Sequence, residues 1–135
     1  MRKKEQLLWD AMKEHEAYGM KLVRMENIAA DGFPDVYVMG SGNWVELKAP
    51  TKIPKREGTP VLGCEGLRIS QKNWNMQNTQ GGRVRSFILI RLPGTRELLL
   101  IPGALAMIVN DMTLKELRAA SIASDWATIN QAVMI

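Results

Sequence analysis

Phe33–Pro50, FPDVYVMGSGNWVELKAP, reads as a strand, a tight turn and a second strand. Val36–Met39 and Trp44–Ala49 are rich in β-branched and aromatic residues, and Gly or Pro flanks each run. Gly40-Ser41-Gly42-Asn43 tolerates the positive φ angles of a hairpin turn. A turn centred on Ser41-Gly42 would pair Met39 with Trp44 and set Asp35 opposite Lys48. Opposed residues share a face, as do residues two apart on one strand. Asp35, Glu46 and Lys48 would then project from one side and Leu47 from the other. A three-residue loop would slip the register by one and scatter them.

Two carboxylates and an ammonium on one side of a sheet are costly unless something binds there. Mg²⁺ takes oxygen ligands, among them one or two protein carboxylates, and fills its remaining positions with water and substrate phosphate. Lys48 beside such an ion would orient or activate a water, or neutralise charge developing on phosphate. The set is equipment for metal-assisted phosphodiester hydrolysis. The plain alternative is a surface hairpin carrying a Lys–Glu pair.

The chain has 135 residues, enough for one domain with a proper core. We expect residues 1–135 to form a single domain, with its core at about 3–101 and a C-terminal helical segment at 102–135. Lys and Arg number 18 against 14 Asp and Glu, a net charge of +4 that favours a polyanionic partner. Cys64 is the only cysteine, so an internal disulfide is excluded and a reducing cytoplasm suits the chain. One histidine and one cysteine make no zinc cluster. No apolar run is long enough to cross a bilayer, and none follows Arg2-Lys3-Lys4 as a secretory signal would require.

Outward from the hairpin, Arg2–Ala17 has helical spacing in Leu8, Ala11, Met12 and His15, with Glu5 on the inner side of the first turn. Lys21–Glu26 reads as a first strand, in which Arg24 is either a phosphate contact or a salt-bridged strand residue. Asp31-Gly32 makes a turn. Thr51–Gly66 has no periodicity and reads as a mobile loop. Its Lys52, Lys55 and Arg56 are candidate phosphate contacts or simply a solvated insertion. Ser70 would cap a helix packing through Ile69, Trp74 and Met76 and stopped by Gly81-Gly82. Val84–Leu92 and Glu97–Ile101 read as central strands joined through Pro93-Gly94-Thr95, with Arg83, Arg85 and Arg91 alternating along the first. Gly103–Val109 suits a short helix after Pro102, and Thr113–Glu116 has capping-box form. Ala123–Ile135 is either a packing helix or a strand or arm for self-association. This order suits an α/β sandwich.

Pro34-Asp35 followed by Glu46-Leu47-Lys48 resembles the signature of the PD-(D/E)XK nuclease superfamily. Leu67–Gln71, Trp74 and Gly81-Gly82 before a β-run are similar to a segment of its VRR-NUC branch, the virus-type replication-repair nucleases. The resemblance covers about residues 3–92. It implies a mixed central β-sheet flanked by helices, a restriction-endonuclease-like nuclease core. It further implies Mg²⁺ or Mn²⁺ held by Asp35, Glu46, the Leu47 carbonyl and Glu5, with Lys48 and Gln71 placing the water. The implied activity is a structure-selective DNA endonuclease on branched, junction or flap DNA. Such enzymes serve phage or bacterial replication, repair and recombination, here as a homodimer in the cytoplasm of a bacterial or phage-infected cell. Arg68 and Lys72 join the loop cations as candidate DNA contacts. The alternative for Glu5 is a solvated residue near a helix N-terminus, and for Gln71 an exposed one in a first turn. Two rivals share the fold: a nonspecific or restriction-type nuclease, and an inactive nucleic-acid-binding module. The latter would gain nothing from carboxylates facing phosphates.

Overall fold

The computed structural model describes residues 3–25, 32–81 and 84–135. Arg2 at the expected helix start, Glu26 at the expected end of the first strand with Asn27–Asp31 beyond it, and Gly82-Arg83 lie outside the described residues.

Helix α1 (Lys3–Glu14) buries Leu8 and Met12, one turn apart, and leaves its charged residues outside. His15, just beyond, is exposed and stacks on Trp126 with ring centroids 5.1 Å apart. Five strands follow: β1 (Lys21–Arg24), β2 (Val36–Met39), β3 (Asn43–Lys48), β4 (Ser86–Arg91) and β5 (Leu98–Pro102). They form one sheet in sequence order, antiparallel throughout except for the parallel pair β3–β4. A parallel pair needs a crossover, and helix α2 (Ile69–Asn78) lies within it. The sheet is therefore mixed, as expected. β5 is an edge strand rather than a central one. Its outer edge is covered where Leu100 exchanges backbone hydrogen bonds with Ile122 and Ala123 at 2.9 and 3.1 Å.

The hairpin forms with its turn centred one residue earlier than expected. Tyr37 pairs with Trp44 and Val38 with Asn43, so every partner moves by two. The four-residue turn is closed by the Gly42 N–H donating to Val38 O at 2.9 Å, with Gly40 at φ 113° and Gly42 at φ 80°. Asn43 explains the shift. Its side chain donates to Val133 O at 2.9 Å and accepts from Arg85 N–H at 3.0 Å, so it belongs to the strand and not the turn. A slip of two conserves which face each side chain occupies.

Each face of the sheet carries its own core. On the first, Val36, Val38, Val45, Leu47, Phe87, Leu89 and Leu100 pack under α1 and the C-terminal helix α4 (Trp126–Met134). Asp125 caps α4, accepting from Thr128 N–H at 2.9 Å. The ambiguous terminal segment is thus a packing helix. On the second face, Ile88, Ile90, Leu99 and Ile101 pack with Val61, Leu62, Val109 and Leu117 of helix α3 (Leu114–Ala120). Thr113 and Glu116 form the expected capping box at the start of α3. Gly103–Val109 is not a continuous helix but runs through two 3₁₀ turns, Gly103–Leu105 and Val109–Asp111. The segment 51–66 is irregular yet tied down. Thr51 bonds Glu65, Val61 N–H donates to Met112 O, and Leu67 exchanges two hydrogen bonds with Asn110.

The second face is divided at β3. Toward β4 and β5 it is aliphatic core; toward β2 it carries Glu46, Lys48, Trp44 and Tyr37. α2 covers this polar half, and its inner face differs from the one expected. Ile69 and Met76 are exposed, while Gln71 and Asn75 are buried. Ser70 is not the cap: the helix begins at Ile69 with Arg68 at the cap position, so Ser70 sits inside it. A polar inner face is tolerated because each group finds a partner. Asn75 Nδ2 donates to Gln71 O at 2.8 Å, and Asn75 Oδ1 accepts from Ser86 Oγ.

Candidate active site

Asp35 stands immediately before β2. One step beyond the pair Val36–Val45, the register sets it opposite Glu46. Its main chain accepts Met25 N–H at 2.8 Å, and its carboxylate Oδ2 accepts Leu47 N–H at 2.8 Å, continuing the ladder with a side-chain oxygen. Oδ1 lies 3.7 Å from the Arg24 guanidinium, which itself rests 5.7 Å from the centroid of the Trp9 ring. Arg24 is therefore salt-bridged in this structure.

Glu46 is 3% exposed. Its Oε1 accepts from Gln71 Nε2 at 2.8 Å and lies 3.6 Å from Lys48 Nζ. Its Oε2 is buried and finds no donor. Burial, with the Asp35 carboxylate next in weight and Glu5 adding to the repulsion, pushes the Glu46 carboxyl well above the usual range, against the pull of Lys48. Two neighbouring carboxylates, one oxygen of which has no donor, can be reconciled only through a proton or a cation. A hard, oxygen-seeking divalent ion fits this donor pair. Among the described residues no third Asp, Glu, His or Cys joins them as a metal-binding cluster.

Gln71 is committed at both ends: while Nε2 holds Glu46, Oε1 accepts Arg68 N–H at 2.8 Å. It is 5% exposed, so the exposed alternative for this residue is excluded. Lys48 is 8% exposed and stays on the Glu46 side of β3. Asp35, Glu46, Lys48 and Gln71 are thus brought together, and Glu5 is near enough to act on Glu46 electrostatically. Lys52, Lys55, Arg56 and Arg68 are exposed and Lys72 half-buried. Lys55 and Arg56 line a cavity of about 480 Å³ together with Lys115 and Arg118 on α3; none of the four clustered residues lines it.

The sequence reading passed over two features of this region. Lys4, Arg91 and Arg96 rim a cavity of about 320 Å³ at the Ala49-Pro50 end of β3. Their cations come from three separate segments, and of them only Arg91 stood out in the sequence, by its alternation along the strand. Phe33, Tyr37, Trp44 and Trp74 meet beside the carboxylates. The available signal was their spacing: Phe33 and Trp44 each precede a carboxylate by two residues.

The chain is similar in structure to Hjc, a Holliday junction resolvase from the archaeal hyperthermophile Archaeoglobus fulgidus. The TM-score is 0.56 over 91% of this chain and 94% of that one, at 12% identity. The chain has the restriction-endonuclease-like fold. At this identity the likeness is one of fold, and what the fold carries must be argued from the residues. No protein-family model and no curated protein matches the sequence.

Proposed function

We propose that the chain is a divalent-cation-dependent deoxyribonuclease of the PD-(D/E)XK type, selective for branched, junction or flap DNA. One observation carries this: Glu46, buried and clamped by Gln71, faces Asp35 with an oxygen that has no donor, beside the Lys48 ammonium. Most buried oxygens of structural ion pairs have donors, so this one supports a site that takes a proton or a cation between Glu46 and Asp35. The fold shared with a junction resolvase supports the same reading.

Asp35, Glu46 and the Leu47 carbonyl would hold Mg²⁺ or Mn²⁺, with Glu5 reaching it through water. When bound, the ion would acidify a water and offset charge on the phosphate. Lys48 would orient the attacking water and neutralise charge on a non-bridging phosphate oxygen. The water oxygen would bond to phosphorus as one of its protons passes to solvent, and the bridging P–O bond would break, its leaving oxygen taking a proton from solvent to give a phosphomonoester and a hydroxyl end. Gln71 would keep Glu46 aimed through one Nε2 proton and help place the water with the other. Its contact with Glu46 supports placing the chain in the VRR-NUC branch. A cytoplasmic homodimer presenting two such sites would suit a branched substrate, and +4 net charge suits DNA. Among the described residues no helix is long and apolar enough to cross a membrane.

The deciding experiment incubates a four-way junction, a flap and plain duplex with Mg²⁺, with Mn²⁺ and with EDTA. Cleavage of the branched substrates, abolished by EDTA and lowered by about 10²–10³-fold or more in Asp35→Asn, Glu46→Gln or Lys48→Ala, is expected. Equal cleavage of all three DNAs would replace branch selectivity with a nonspecific nuclease. Activity that survives these substitutions would end the proposal.

A further inference from the structure

Phe33, Tyr37, Trp44 and Trp74 form a continuous aromatic wall. Trp44 is its centre, with ring centroids 5.7 Å from Phe33, 4.9 Å from Tyr37 and 5.4 Å from Trp74, while Phe33 and Trp74 are also 5.7 Å apart. Three of the rings accompany a residue of the active site at same-face spacing: Phe33 two before Asp35, Trp44 two before Glu46, and Trp74 three after Gln71. All four are only half-buried, so the wall keeps solvent-facing surface. Elsewhere the sheet is packed almost wholly by Leu, Ile and Val, which would staple α2 to the hairpin equally well. Trp44 lies about 7 Å from Glu46 along β3, on the scale of one nucleotide step.

We propose that this wall stacks an unpaired nucleobase of the DNA strand whose phosphate sits at Asp35, Glu46 and Lys48. It thereby favours strands with unpaired nucleotides at a branch or flap. This rests on the deoxyribonuclease reading and names the structural feature of the substrate that the site selects. A base inside a duplex has both faces occupied by its neighbours, whereas an unpaired base offers a face that aromatic rings accept whatever its identity.

The test titrates the whole protein, in EDTA, with a single-stranded oligonucleotide and with blunt duplex of the same sequence, following tryptophan emission and affinity. The single strand is expected to quench emission and the duplex to quench it far less. Trp44→Leu and Trp74→Leu should each weaken single-strand affinity by about 5- to 150-fold, and Trp44→Phe should retain it. The dependence of binding on salt should keep its slope in Trp74→Leu, since no phosphate contact is removed. Equal quenching by duplex, or unchanged single-strand affinity in folded leucine variants, overturns the proposal. Should Trp44→Leu not fold, Trp74→Leu and the quench in the unmutated protein still decide. Because no divalent cation is present, the two ideas fail separately: quenching without cleavage in Mg²⁺ sinks the nuclease alone, and cleavage without quenching sinks the wall alone.

Discussion

Gln71 Nε2 donates to Glu46 Oε1 at 2.8 Å, while the other end of the same amide accepts Arg68 N–H at 2.8 Å. The first turn of α2 is thereby fastened to the middle of β3. Asn75, one turn on, bonds Gln71 O and Ser86 and fixes the helix against β4. The position of a buried carboxylate is set by a helix cap, so disturbing the cap disturbs the site.

Gln71→Ala should therefore lower metal-dependent cleavage by about 10–100-fold, as loss of a group orienting a metal ligand does. The loss should be greatest at low Mg²⁺ and partly recovered at high Mg²⁺, because Glu46 remains but is less well aimed. Initial rates across a Mg²⁺ series would show it. A variant that matches the parent at every Mg²⁺ concentration would mean the clamp is irrelevant to the site.

Glu46 predicts an unusual pH dependence for the metal-free protein. Its carboxyl is raised by burial and then by Asp35, so the folded state holds a proton that the unfolded chain releases near the ordinary carboxylate pKa of about 4.3. Its contribution is present below that value and fades as pH climbs through the raised one. Glu16 and Glu97 act in the opposite sense. Glu16 is lowered by the Leu22 N–H and Glu97 by Arg118, so their contributions fade only as pH falls below about 4.3. In EDTA, melting temperature should thus be lower at the upper pH of a series than near the ordinary carboxylate pKa of about 4.3. Glu46→Gln should flatten this limb. Excess Mg²⁺ at 100 times its Kd should add about 2.7 kcal/mol at the upper pH. Thermal melts of both proteins, with and without Mg²⁺, test all three.

The hairpin and the grouping of its charged side chains were legible in the sequence because face parity is a local property. The register was wrong by two, yet Glu46 and Lys48 kept their side, since only an odd slip would have moved them. The turn was misplaced because Asn43 answers to Val133, ninety residues away, and no turn preference encodes that bond. The inner face of α2 failed for a related reason. Apolar spacing pointed to Ile69 and Met76, but the surface beneath the helix is the polar half of the sheet, so Gln71 and Asn75 turn inward. A capping motif closed within four residues, Thr113–Glu116, was read correctly. The terminal segment became decidable only once α4 was seen to fill the first core.

Gly32→Ala should damage both fold and site. Gly32 has φ 95°, and a Cβ there would stand 2.5 Å from Ser70 O on the backbone of α2. The substitution must push the Phe33–Asp35 segment off the helix that carries Gln71. A cost of about 1–3 kcal/mol is expected from the backbone strain alone, read by urea unfolding. Cleavage should also fall at saturating Mg²⁺, because Asp35 moves with the segment.

Lys55 and Arg56 lie beside α3, lining a cavity that the clustered carboxylates, Lys48 and Gln71 do not reach. If they hold the phosphate backbone of a bound arm, replacing both by Ala should weaken DNA binding and raise KM while leaving kcat near its parent value. Each lost phosphate contact flattens the slope of log affinity against log salt by about 0.9, so the double variant should lose about two units. Arg118, in the same cavity but paired to Glu97 at 2.7 Å on the surface, should contribute less to DNA binding. A fall in kcat with an unchanged salt slope would instead place these cations in the chemistry, and the separation between the cavity and the catalytic cluster would have no functional meaning.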